Sequence, residues 1–333
     1  MAAAGRPVEE SLVLRLVSIS KKAPLAPEPF LVRGVDAQMA GNQRLALRAY
    51  LAARHRNPRA VAPRYFLADR YLKTGRTGMG LDEISALARL VPQSLPAVAP
   101  YLAAYARIPN AAPQVKQILK AHPQLELVLL NELAGDASNA GLIIDLWSGR
   151  GGDVARPWQG RMLNGLVEAG RFDEARAAWA RFTGMSVEQD RLFDTEFMAQ
   201  SLPPFGWKLT SGSSGIAEPQ PGGRLHVLYY GRDDLVLASQ LLTLPPGRYR
   251  LSMAAKTGSP PPKSLSWAVH CLPDSVPVAS VPLDRSGRVT TSFDVPAGGC
   301  PAQQLELVGK APEFPARAEV TIGQLRLQRD TAR

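Results

Sequence analysis

From Val35 to about Ala199 the apolar residues recur at i, i+3, i+4 and i+7, the spacing that lays one stripe along a helix. Gly, Pro and Asn punctuate the runs, so this stretch reads as a series of short helices. Past Ser201 the period changes. SLPPFGW, TSGSSG and PQPGG make a turn-rich passage with little helix propensity. Short runs rich in Val, Leu, Tyr, Thr and Trp then follow: LHVLYY, LVLASQLLTL, RYRLSMAAKT, LSWAVHC, PVASVPL, RVTTSFDV, QLELVG and AEVTIGQLRL. Turn signals part them at the spacing of an antiparallel β-sandwich. The expected fold is therefore multidomain α plus β, with a leader over 1–34, helical pairs over 35–200 and a β-sandwich over 201–330.

Alternation assigns the strand faces. In LSWAVHC, Leu265, Trp267, Val269 and Cys271 share the apolar face, and Ser266, Ala268 and His270 share the other. In RYRLSMA, Tyr249, Leu251 and Met253 point to the core, and Arg248 and Arg250 point away. Tyr229 falls in with Leu225 and Val227, on the core side.

The helical half repeats. Gly41 and Pro58 return as Gly75 and Pro92, both 34 residues on, and Tyr71 returns as Tyr105 at the same interval. Gly41 sits at an inter-helix turn, Ala46, Tyr50 and Ala53 run down the second helix, and Pro58 ends it. Small Ala lets two helices approach, Tyr plugs the groove between them, and Pro cannot continue a helix. In the third unit Pro109-Asn110 replaces the turn glycine. LNGLVEAGRFDEARAAW repeats the scheme, with Gly170 at the turn and Ala175 and Trp179 spaced like Ala46 and Tyr50. On these residues the half resembles the tetratricopeptide repeat (TPR) family, with residues 110–160 departing from its pattern. The resemblance implies a solenoid of α-α hairpins with a groove for a protein partner; generic α-hairpins and an irregular bundle are the alternatives.

Charge adds one feature. The chain carries a formal +10, and residues 1–64 hold eleven Lys/Arg against Glu9, Glu10, Glu28 and Asp36. This basic leader is either a partly disordered, solvated arm or a contact for an anionic surface. MAAAGRPVEE lacks the basic and apolar regions of a secretory signal, and no apolar run reaches the length of a membrane span. The two cysteines, Cys271 and Cys300, lie at strand ends of the β half. They are either a disulfide, which places the domain in the periplasm or cell envelope, or two thiols of a cytoplasmic protein.

GW after a proline-rich entry, G-x-x-L-x-V-x-Y-Y-G, PPGRYRLS, a SxxW strand ending in Cys, FDVPAGGC and a closing VTIGQLRL together resemble jelly-roll carbohydrate-binding modules over about residues 203–329. The two halves in this order also resemble cell-envelope proteins of alphaproteobacteria, sphingomonads in particular. Sugar recognition needs exposed aromatic faces beside amides, carboxylates or guanidinia. The candidates are Trp207 near the entry, His226 and Tyr230 on one face of LHVLYY, and Arg232 and Asp233 in the next turn. Tyr230 either meets ligand or packs on the helices.

Catalytic patterns are absent from the sequence. Asp233-Asp234 are neighbours in a turn, not acids facing across a cleft. Asp190, Asp194 and Glu196 read as a helix surface. His55, His122, His226 and His270 are isolated, with no zinc spacing. No cofactor cradle, metal site or aromatic-interleaved basic face for nucleic acid is found. The expectation is a non-catalytic envelope adaptor, with helical repeats for a protein partner and a sandwich for polysaccharide. The alternatives are a protein-only scaffold and, third, a glycan-active enzyme.

Overall fold

A computed structural model of the chain describes residues 11, 15, 18, 19, 23–91, 95–147, 149, 156–185, 191–198, 202–258 and 263–330. These fall into two compact units, Met1–Leu133 with Ser138–Ser148, and Ala134–Ala137 with Gly149–Arg333.

The first unit is helical: α1 (Glu28–Met39), α2 (Gln43–Arg56), α3 (Val61–Lys73), α4 (Thr77–Leu90), α5 (Leu95–Ala106), α6 (Ala112–Ala121), α7 (Gln124–Leu133) and α8 (Ala140–Leu146). Residues 28–34, expected in the leader, form the first turns of α1, because Pro27 and Pro29 suit a helix start and Glu28 favours its positive end. The helices pair as α1/α2 and α3/α4. Alternate helices then stack, α3 on α5, α5 on α7 and α6 on α8, which gives two layers.

The repeat positions explain the pairing. Gly41 and Gly75 sit in the α1–α2 and α3–α4 turns with φ of 73° and 72°, and Asn110 takes φ 67° where the third unit has no glycine. A left-handed turn residue is cheap for Gly and next cheapest for Asn. Ala46, Tyr50 and Tyr71 are buried, Tyr50 lying against Gly34 with its ring tilted against that of Phe66. Tyr105 is buried in α5, Pro58 is exposed just past α2, and Pro92 lies outside the described residues. Glu83, only 2% exposed on α4, accepts from both Arg54 and Arg64. A buried carboxylate needs such partners to offset its desolvation.

The second unit opens with a hairpin of α9 (Pro157–Glu168) and α10 (Phe172–Thr183), turned by Gly170. Ala175 and Trp179 are fully buried on α10. The sequence places its boundary near residue 200, after this hairpin; the compact unit includes the hairpin with the sandwich. The Trp179 indole N–H donates to the Leu202 carbonyl, and its ring packs edge-on against Phe193 and tilted against Phe205.

Eleven strands among the described residues then form two antiparallel sheets: β1 (Lys208–Leu209), β2 (Ser211–Gly212), β3 (Gly215–Gln220), β4 (Arg224–Tyr229), β5 (Leu235–Leu242), β6 (Gly247–Thr257), β7 (Leu265–Leu272), β8 (Val276–Pro282), β9 (Gly287–Val295), β10 (Ala302–Gly309) and β11 (Ala318–Arg329). Their orders are β1-β5-β10-β7-β8 and β2-β3-β4-β11-β6-β9. Tyr229, Tyr249, Leu251, Trp267, Val269 and Phe293 meet between the sheets, as their alternation requires.

Cys271 and Cys300 form a disulfide with Cα atoms 4.9 Å apart, joining the end of β7 to the loop before β10. It closes a sequence separation of 29 residues. On the chain-entropy account such a bridge stabilises by about 3–4 kcal/mol. Urea unfolding of the C271A/C300A variant should show a clearly lower midpoint than the oxidised protein. An unchanged midpoint would mean that the bridge constrains nothing.

Candidate functional site

Strand pairing places His226 in the outward set of the six-stranded sheet, with register neighbours Glu218 on β3 and Thr321 on β11. Its two ring nitrogens face two acids: Nδ1 lies 3.5 Å from Glu218 and Nε2 lies 3.2 Å from Glu319. Arg317 closes on the other oxygen of Glu319 at 3.0 Å. The row continues across the sheet into Lys256 of β6. One row on, Arg224, Gly323, Ala254 and Arg288 line up from β4 to β9.

The remaining sequence candidates collect at the β4–β5 turn. Tyr230 is half-buried, its N–H donates to the Ser214 carbonyl, and the Arg232 guanidinium stands 5.9 Å from its ring centre. The Ser214 hydroxyl donates to the Asp233 carboxylate, and the Tyr229 hydroxyl donates to the Asp233 carbonyl. Asp234 accepts from Lys310 Nζ and the Ala311 N–H. Gly231, at φ 68°, makes the turn possible, since a Cβ there would stand 2.6 Å from the Ala316 carbonyl oxygen. The structure thus groups Tyr230, Arg232 and Asp233, and sets His226 on the sheet face beyond them.

Trp207 is placed elsewhere. Its indole is 7% exposed, packs against Phe197 and Trp267 at 5.0 and 5.9 Å, and donates to the Asp194 carbonyl. A ring so enclosed offers no face for a sugar. Residues 194–198 form turns in place of the expected helix surface, with Asp194 and Phe197 at positive φ; Asp190 lies outside the described residues. Beside them is a groove of about 720 Å³ lined by Phe197, Met198, Pro203, Trp207, Leu209 and Pro221, among others.

Sequence reasoning missed the arginines of this sheet as a group. Arg224, Arg248, Arg250, Lys256, Arg288 and Arg326 are all exposed. A bulge delivers Arg326: between Gly323 and Arg326 the register with β6 shifts, and Gln324 takes φ 53°. The extra residue changes the parity of the strand. The signal was present in VTIGQLRL, whose apolar set runs 320, 322 and then 325, 327.

The outward side of the five-stranded sheet is less open. Glu306 there faces His270 at 4.0 Å, and partial burial raises its carboxyl above the ordinary range, with His270 and Lys208 opposing. Among the described residues, no three His, Cys, Asp or Glu gather as a metal would need.

No family model matches the chain, and no curated protein matches it. Solved structures resemble it only in part. A structure described as "CBM4 structure and function" shares 13% identity over 42% of this chain and 99% of its own, at a TM-score of 0.34. "Family 16 Carbohydrate Binding Module-2" shares 17% over 37% and 89%, at 0.27. A glycosylation-associated Gap123 complex of Streptococcus agalactiae shares 13% over 37% and 42%, at 0.28. Likenesses this slight carry no argument about function.

Two titrations check the site's electrostatics. The His226 bond and then Arg317 hold the Glu319 carboxyl below the ordinary carboxylate range. A depressed folded pKa contributes stability above the unfolded value, near pH 4, and loses it as pH falls through the folded value. In H226A the Glu319 carboxyl midpoint, followed by carbon-13 NMR, should rise; an unmoved midpoint contradicts the bond. Glu306 has the opposite sign, so its cost sets in as pH rises through its folded pKa. E306Q should melt higher than the parent near neutral pH and equal it in acid, whereas a lower melt at neutral pH would show the carboxylate to be favourable.

Proposed function

We propose that the chain is a non-catalytic adaptor of the cell envelope. Its TPR-like helical pairs take a protein partner, and its sandwich binds polysaccharide on the outward face of the six-stranded sheet. One observation carries the second half: the outward rows of β4, β11, β6 and β9 set exposed Arg224, Arg248, Arg250, Lys256, Arg288 and Arg326 among Ser252, Thr290, Ser292 and Thr321. Flat, polar, hydrogen-bonding surfaces suit an extended sugar chain better than an enclosed substrate.

Other features support the reading. The Cys271–Cys300 bridge fits an oxidising, extracytoplasmic setting. No helix among the described residues is long and apolar enough to cross a membrane. Asp233 and Asp234, the acids nearest the turn site, are each engaged in bonds that shape it. That arrangement favours a binding role over hydrolysis, which needs two acids opposed across a cleft.

A protein-only scaffold is the competing reading, and the apolar groove beside Met198, which is 67% exposed, is what favours it. Affinity electrophoresis of the full chain through gels carrying acidic and neutral polysaccharides separates the two. We expect retardation by at least one polymer, reduced in R224A/H226A while the melting temperature holds. No retardation by any polymer would leave the protein-only reading.

A further inference from the structure

Resting on that polysaccharide reading of the same face, we propose that the ligand is an anionic polysaccharide of the polyuronate class, held by the arginines of β4, β11, β6 and β9. Arg224 and Arg288 share one cross-strand row, with Gly323 and Ala254 between them and Gln220 beyond Arg224. The next rows set Arg326 beside Ser252 and Thr290, and Gln328 beside Arg250 and Ser292. Arg248 lies opposite Asp294 at the far end. Small and hydroxyl residues thus floor this face, with guanidinia standing among them.

The clustering is local. Beyond residue 64 the chain is close to neutral, yet this face gathers six exposed bases. The acids of these rows are Asp294, Asp330 and, in the row of Lys256, Glu218 with Glu319 beside it; Glu218 and Glu319 face His226, and Asp330 meets Arg250 at 3.2 Å. An exposed pair of that kind is worth little and exchanges readily for another carboxylate. Arg224 donates to the Pro221 carbonyl, which orients its guanidinium without neutralising it. Rows lie about 6.6–6.8 Å apart along a strand and neighbouring strands about 4.8 Å apart. That lattice offers repeated forks to carboxylates repeated along a chain, and guanidinium takes carboxylate in a bidentate manner.

The floor also discriminates among polyanions. No Phe, Tyr or Trp lies in these rows, so the bases of a single-stranded nucleic acid would find nothing to stack on. No large apolar side chain projects from them to enter a bilayer. Hydroxyls of Ser252, Thr290 and Ser292 suit the hydroxyls of a sugar ring instead.

The test uses the full chain against polygalacturonate, a neutral galactan, single-stranded DNA and anionic vesicles, at rising salt. We expect polygalacturonate to bind best, with affinity falling as salt rises. R288E/R326E should weaken it about tenfold or more, a change of ~1.4 kcal/mol. R44E/R48E, an equal charge change on exposed α2 positions, should leave it within about twofold, a difference of ~0.4 kcal/mol. Equal binding of the neutral galactan, undisturbed by R288E/R326E, overturns the uronate assignment and leaves the polysaccharide reading standing. An equal loss in R44E/R48E overturns it in favour of diffuse charge, and tighter binding of DNA or vesicles overturns it in favour of those partners. Binding to no polysaccharide at all defeats both.

Discussion

The two sheets of the sandwich close only by burying one side-chain set from each strand, and that obligation decides what the other set can do. With Tyr249, Leu251 and Met253 committed to the core, Arg248, Arg250, Ser252 and Ala254 are forced outward on β6. The same rule on β4 buries Leu225, Val227 and Tyr229 and turns Arg224 and His226 outward. Each buried large side chain contributes roughly 1.5–3 kcal/mol, far more than any surface arrangement could oppose. A strand slipped by one residue would put arginines between the sheets. The face proposed for binding is thus fixed by the core behind it, which is why it can carry charges that help the fold very little.

A second commitment ties the last helical hairpin to the sandwich. Gln240 is fully buried on β5, and its carboxamide accepts from the Phe193 N–H and donates to the Phe193 carbonyl. Both hydrogen-bonding groups of one residue in the connecting segment are thereby satisfied, a condition for burying an irregular backbone. Phe193 meets Trp179 of α10, while Leu192 and Phe197 join the sheet core. The hairpin therefore reaches β5 through this segment, which has a structural duty of its own besides linking two parts.

Much of this was legible in the sequence, because period and turn chemistry are local. The inward sets of β4, β6 and β7 follow alternation, and the turn residues at 41, 75, 110 and 170 follow from backbone sterics. What escaped was set by packing. Trp207 looked like a platform because it follows a proline-rich entry, but only the fold brings Phe197 and Trp267 against it. The helix starting at Glu28 was masked by its place in a basic stretch, since charge outweighs a weak apolar stripe there. The bulge at Gln324 broke a pattern that was visible, and its consequence, Arg326 beside Ser252, depends on the partner strand. Cross-strand neighbours such as Arg224 and Arg288 are 64 positions apart in the chain and share a row only once four strands pair.

On the proposed reading, this outward sheet face is the working surface. Nitrogen-15 NMR of the arginine Nε–H groups in the full chain, titrated with an oligogalacturonate, tests it most directly. The resonances of Arg224, Arg248, Arg250, Arg288 and Arg326 should shift together and saturate, while those of Arg44 and Arg48 stay in place. Shifts confined to the helical unit, or spread evenly over every arginine, would contradict it.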